Sequence, residues 1–250
     1  VKITDDITLV IMDSQWWLHE FDKPGVESDC PFKTKAEILT ELDEVLSKNS
    51  GKLVLFATHH PFRSYGPHGG YFTFKQHIFP FTDAIPKLYL PLPIIGSTYP
   101  LTRAVFGTAQ DLKHPLYQDM IKAIEPVVKS HSNVIYLAGH EHTLQLIQDS
   151  GYNYIVSGSG SKSNRVSKTK KTLFATPQTG FVTLQVSKNK NVRASFYGVE
   201  GDSLKELYSK NILDFSILPL AKKDTLREVE YVFKDSVVIS ASDQYKKENK

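Results

Sequence analysis

Two apolar runs, each ending in histidine, constrain this chain more than any other feature. Leu53-Val54-Leu55-Phe56-Ala57 leads into Thr58-His59-His60-Pro61, and Val134-Ile135-Tyr136-Leu137-Ala138 leads into Gly139-His140-Glu141-His142. Each run reads as a buried strand that delivers its histidines into a loop. A third run, Ile7 to Asp13, has the same near-continuous apolar character and ends in a carboxylate.

The segments between them alternate in type. Thr34-Lys35-Ala36-Glu37 has the spacing of a capping box, in which the Thr hydroxyl and the Glu carboxylate satisfy the first free amides of a helix. Ile38, Leu39, Leu42, Val45 and Leu46 follow at helical spacing, so the pattern predicts an amphipathic helix from Thr34 to Lys48, stopped by Asn49-Ser50-Gly51. Strand, helix, strand implies a βαβ unit and an α/β fold. Pro115 opens a second helix, with Leu116, Met120, Ile121, Ile124, Val127 and Val128 as its apolar stripe. Pro126 is expected to kink or end it. Hairpins are expected around Asp149-Ser150-Gly151 and between Phe181–Val186 and Val192–Val199. Trp16 to Pro31 reads as irregular, and residues 71–110 as a packed insertion rich in proline and aromatics. Beyond Leu204 the pattern weakens, with a strand pair expected within Val229 to Ser240 and a charged tail at Lys246 to Lys250.

The totals exclude several classes. No apolar run reaches the roughly 18–20 residues of a membrane helix. Cys30 is the single cysteine, so no intrachain disulfide can form. A net charge of +3 does not argue for nucleic acid, although it suits an anionic substrate. Lys162, Arg165, Lys168, Lys170 and Lys171 read as a solvated basic loop; no aromatic residues interleave them as stacking platforms would.

The histidines carry the chemistry. Neutral imidazole is a common ligand for zinc and iron. In an extended loop residues i and i+2 point to one side, so His140 and His142 are expected to converge, with Gly139 easing the turn before them. His59 stands at the end of another strand, where α/β sheets bind ligands. His68, between Pro67 and two glycines, is a candidate proton donor. Glu141 either orients a ligand histidine or faces solvent.

Ala57-Thr58-His59-His60-Pro61, Ser64-Tyr65-Gly66-Pro67-His68-Gly69, Gly139-His140-Glu141-His142-Thr143-Leu144-Gln145 and Tyr154-Ile155-Val156-Ser157-Gly158-Ser159-Gly160 together resemble the calcineurin-like metallophosphoesterases. Within that family the pattern is most similar to the branch of the small purple (tartrate-resistant) acid phosphatases. The resemblance runs from about Ile7 to about Val199. It implies an α/β fold, an αββα sandwich of two packed β-sheets flanked by helices, here partial with its N-terminal half absent. It implies two divalent or trivalent transition metal ions (Fe, Zn or Mn), with His59 and His140 on one ion, His142 on the other, and His68 contacting substrate or donating a proton. His60 has no role in the family pattern. The implied reaction is hydrolysis of a phosphate ester, a small molecule or a nucleotide, by a metal-bound hydroxide.

The sequence departs from that family in a specific way. It has no Asp-x-His and no Gly-Asn-His, and its one Gly-Asp, Gly201-Asp202, follows the Gly-His-x-His motif where the family places it before His59. The first half of the site is therefore expected upstream of Val1, in a parent of which residues 1–200 form the C-terminal part of the phosphoesterase domain and 201–250 an extension or connector. Val229 to Tyr245 is similar to a connector in bacterial members that precede an outer-membrane barrel, implying a membrane-associated parent in the cell envelope (periplasm or outer membrane). The alternative is a non-catalytic phosphoesterase-like module acting in protein interaction or membrane assembly.

Overall fold

Strands that are apolar on both faces need a layer on each side, and that requirement builds the architecture. The computed structural model describes residues 1–216 except positions 20, 26, 73, 84, 86, 93, 94 and 99–106. The expectations for 217–250, including the strand pair, the connector and the charged tail, lie outside the described residues, as does part of the 71–110 insertion.

A six-stranded sheet has the order β1 (Ile7–Met12), β2 (Leu53–Thr58), β3 (Val134–Ala138), β5 (Tyr152–Ser157), β4 (Leu144–Asp149) and β6 (Thr172–Thr176). β1, β2, β3 and β5 run parallel, and β4 and β6 are antiparallel to their neighbours. A second, antiparallel sheet is formed by β7 (Gly180–Val186), β8 (Asn191–Glu200) and β9 (Ser203–Asp214). Side chains alternate between the layers as the strand period of two dictates. Val54, Phe56, Val134, Tyr136, Ile147 and Tyr154 face the helices. Leu53, Ile135, Leu144, Leu146 and Ile155 face the second sheet, where Val192, Ala194, Phe196 and Ile212 meet them. The fold is thus two packed sheets with helices flanking the larger one. Among the described residues, no helix is long and apolar enough to cross a membrane.

The helices lie over the first sheet: α1 (Ser14–Leu18), α2 (Lys35–Lys48) and α4 (Pro115–Lys129), while α3 (Phe74–Ile78) lies within the insertion. Thr34 caps α2 through the expected box, its Oγ1 accepting from Glu37 N while Glu37 Oε2 accepts from Thr34 N at 3.0 Å. Leu39, Leu42 and Leu46 of α2 and Tyr117, Met120, Ile124 and Val128 of α4 enter one core.

The structure adds local detail to these expectations. Ser14–Leu18 is a helical turn that reaches into the segment from Trp16 expected to be irregular, because the Asp13 carboxylate accepts from Gln15 N and Trp16 N while Trp17 and Leu18 are buried. Pro126 lies inside α4, which ends one turn later at Lys129. Val127 and Val128 are buried in that last turn, at about 1.5–3 kcal/mol each, which offsets the roughly 3 kcal/mol of an interior proline. Thr172–Thr176 forms the edge strand β6 at the end of the basic loop. Ser203–Asp214 forms a twelve-residue strand paired with β8. β9 has a polar, outward side and therefore lacks the continuous apolar signal of the central strands, and β6 is only five residues long.

Thr34→Ala removes one half of the capping box. It is expected to destabilise the chain by about 1 kcal/mol and lower the thermal midpoint by about 2–4 °C, with no change at the strand ends; a calorimetric scan checks this.

Candidate metal centre

Parallel pairing decides where the histidines emerge. Met12 pairs with Thr58, Thr58 with Ala138 and Ala138 with Val156, so the chain leaves all four strands at one edge of the sheet. The ladder extends one residue further, with Gly139 N donating to His59 O at 3.1 Å. His59 and His140 are thereby held side by side although they are far apart in sequence.

The loop after β3 is not extended. His140, not Gly139, takes the left-handed conformation, with φ of 60°, and Glu141 N and Thr143 N each donate to the carbonyl two residues back, both at 2.7 Å. This tight turning defeats the expected alternation. His140 turns toward His59 and His60, and His142 lies outside the group that these three form. His142 is half-buried, with its Nδ1 3.4 Å from Asn164 Nδ2 and its carbonyl accepting from Asn164 N.

His59, His60 and His140 each present one ring nitrogen within 4.8 Å of the others. His140 Nδ1 and His59 Nε2 are 3.3 Å apart. Two ligands held ~2.0–2.1 Å from one tetrahedral ion would be about 3.3–3.4 Å apart, so this pair already has a ligand spacing. His60, fully buried, had no role in the family pattern, yet its ring lies 4.5 Å from that of His140. Ser14 Oγ sits 2.8 Å from His60 Nδ1 and Gln110 Oε1 sits 2.8 Å from its Nε2. Gln110 also places its backbone oxygen 2.8 Å from His140 Nε2. Burial, reinforced by the neighbouring His68, pushes the His140 imidazole down to about 3. Burial likewise lowers His60 and His142 below the ordinary range. Neutral imidazole is the ligating form.

These imidazoles could hold a metal ion, and among the described residues no carboxylate joins the group.

His68 stands over the cluster. Its ring centroid is 4.2 Å from that of His140, and its Nδ1 is 2.9 Å from Asp111 Oδ1. Asp111 is buried and is itself fixed by Thr108, whose N and Oγ1 donate to its other oxygen. The loop carrying His68 is tied to the metal loop by Glu141, which is fully buried and does not face solvent. Glu141 Oε2 accepts from Ser64 Oγ at 3.1 Å and from His68 N at 3.0 Å, and burial raises its carboxyl above the usual range. Two glycines make room for it: a Cβ on Gly66 would lie 2.2 Å from the Glu141 carboxylate carbon, and one on Gly158 2.1 Å from the Glu141 carbonyl oxygen. Gln145 completes the tie, accepting from Tyr65 N and donating to Ser64 Oγ.

The structure therefore brings together His59, His140 and His68, adds His60, Ser14 and Gln110, and leaves His142 beside the group. The signal for His60 was its place directly after His59 at a strand end; the signal for Ser14 was its place after the carboxylate that ends the first apolar run.

No protein-family model and no curated protein matches the chain. Among solved structures it is similar to GAP50, the anchor in the inner membrane complex of Plasmodium, at 16% identity and a TM-score of 0.51, covering 82% of this chain and 49% of that one. Others are PhoD, at 14% identity and a TM-score of 0.42 (82% and 39% covered), and the purple acid phosphatase PPD1 of yellow lupin seeds, at 13% and 0.43 (88% and 34% covered). The chain thus spans half or less of the length of these structures. At such identity the likeness to GAP50 is one of fold.

The depressed imidazoles set a pH dependence. Unfolded histidines bind protons near 6.5, whereas His140 resists protonation down to about 3. Their contribution is complete above about pH 6.5 and is lost as pH falls toward 3. Denaturant midpoints of the metal-free chain are expected to fall steadily from pH 7 to pH 4. His140→Asn, which tolerates the left-handed backbone, should make that slope shallower. Equal midpoints at pH 7 and pH 4.5 would contradict the assignment.

Proposed function

We propose that this chain carries the histidine-bearing part of a metal-dependent phosphoesterase centre, acting on a phosphate ester such as a small monoester or a nucleotide. The observation that carries the reading is the convergence of His59, His60 and His140 at the ends of adjacent parallel strands, with His68 stacked over them. A bound ion (zinc, iron or manganese suits this donor set) would supply Lewis-acid polarisation of a phosphoryl oxygen.

The chain's own groups take distinct parts. His59 and His140 hold the ion, and His60 is kept in one orientation by Ser14 and Gln110 at its two nitrogens. The resemblance assigns His142 to a second ion, and its separate place beside Asn164 suits a ligand of a different ion. Asp111 holds His68 at Nδ1, so Nε2 is the atom from which a proton can pass to a leaving group. Glu141 holds the His68 backbone against the metal loop, so that this geometry exists before substrate arrives.

A second reading, a non-catalytic module that keeps the fold for protein interaction or membrane assembly, is favoured by two observations. No carboxylate stands in the histidine group among the described residues, and GAP50, whose fold is similar, is the anchor in the inner membrane complex of Plasmodium.

The full-length protein, loaded with manganese or zinc, should hydrolyse p-nitrophenyl phosphate. His140→Ala with His142→Ala should abolish both metal retention and turnover. His68→Asn should keep the metal and lower kcat by about 10²-fold or more. Metal retention without turnover on monoesters, diesters or nucleotides would favour the non-catalytic reading. Metal content and turnover unchanged in the double variant would end the phosphoesterase assignment.

A further inference from the structure

On the far side of the loop that carries His68, a cavity of about 620 Å³ opens between residues 62–71 and the outer face of α4. Its size is within the range of small-molecule sites. None of the strand-end histidines lines it, so it is a separate site.

Its charge is unbalanced in a way that can be traced residue by residue. The single acid on its wall, Glu125, is already engaged: Arg63 and Lys129 pair with it at 2.9 and 3.1 Å, and Tyr154 donates to it at 2.7 Å. The remaining Arg63 hydrogen bonds go to Asp149 and to the Phe62 carbonyl. Lys113 and Lys122 both line the cavity and have no ion-pair partner among the described residues. The cavity therefore carries two such cations beside an acid that is already neutralised. Lys113 lays its stem across Gly70, where a Cβ would come within 3.1 Å of its Cε, and both lysines are exposed at the mouth of the cavity.

The apolar side is equally specific. Tyr65 and Tyr71 meet edge to face, with centroids 5.1 Å apart, and Leu112 and Ile121 line the floor. An aromatic corner of this kind offers a face to a flat ring. Two cations beside a ring-sized apolar corner match an aromatic anion better than a bare inorganic ion or a neutral ring.

We propose that this cavity binds a small aromatic anion, its ring in the Tyr65–Tyr71 corner and its phosphonate-, phosphate- or carboxylate-type head group between Lys113 and Lys122.

The test uses the full protein in the presence of a chelator, so that no ion at the strand ends takes part. Phenylphosphonate, which has no ester to hydrolyse, is titrated by calorimetry or ligand-observed NMR, with inorganic phosphate and benzyl alcohol as the ringless and neutral comparisons. Phenylphosphonate should bind about tenfold or more tighter than either, and Lys113→Glu with Lys122→Glu should weaken it about tenfold or more. His140→Ala should leave it within about twofold. Lys113→Gln with Lys122→Gln gives the same reading without charge reversal should the first pair fail to fold. The proposal is overturned if phenylphosphonate does not bind or binds no tighter than the two comparisons. It is equally overturned if binding survives both lysine pairs or is lost in His140→Ala.

Discussion

Register is the constraint from which the rest of this molecule follows. A strand shifted by one residue would turn every side chain to the opposite layer. In β2 that would exchange Leu53 and Leu55 for Val54 and Phe56 between two cores of different shape. With both faces buried, the register of β2, β3 and β5 is specified from two sides, and the carboxyl ends of β1, β2, β3 and β5 finish level. The hydrogen bond from Gly139 to His59 continues that ladder into the loops. What looks like a designed meeting of distant histidines is thus a consequence of ordinary β pairing carried one residue further.

The loops beyond the ladder are set by buried polar groups that bond across them. Glu141 joins the loop after β3 to the loop after β2 through Ser64 and the His68 amide, and Gln145 repeats the tie one strand position on. Arg63 anchors the start of the same loop to Glu125 on α4 and Asp149 on β4. That guanidinium, with the Lys171 ammonium, holds the Asp149 carboxyl down to about 2. Removing one partner from such a group leaves the other buried and unmatched, which costs more than the bond itself contributes. The left-handed His140 is unfavourable for a non-glycine residue and is held where these ties converge.

How much of this was legible follows from where each signal resides. The central strands, α2 with its Thr34–Glu37 box and the two hairpins were readable because their determinants are local: runs, periods and turn residues. The α/β class followed from strand, helix, strand; the two-sheet architecture was implied by the family resemblance. The edge strands β6 and β9 were not legible: β6 is only five residues long, and β9, with one wet side, presents half the apolar signal. His60 was passed over because its meaning depends on Ser14 and Gln110, 46 and 50 residues away, and no spacing rule encodes such contacts. The expected pairing of His140 with His142 rested on an extended loop; a single positive φ removes that premise. Asp111 went unnoticed for the reason that hid His60: its partner, His68, is 43 residues distant.

What the fold assembles is a set of neutral imidazoles at one sheet edge, with two of them already at the spacing of ligands to one ion. Ligand counting by X-ray absorption on the zinc-loaded protein tests that arrangement. The first shell should show imidazole nitrogens at ~2.0–2.1 Å, reduced in number by His59→Ala and again by His140→Ala. A protein that retains no zinc, or a first shell unchanged by both substitutions, would contradict it.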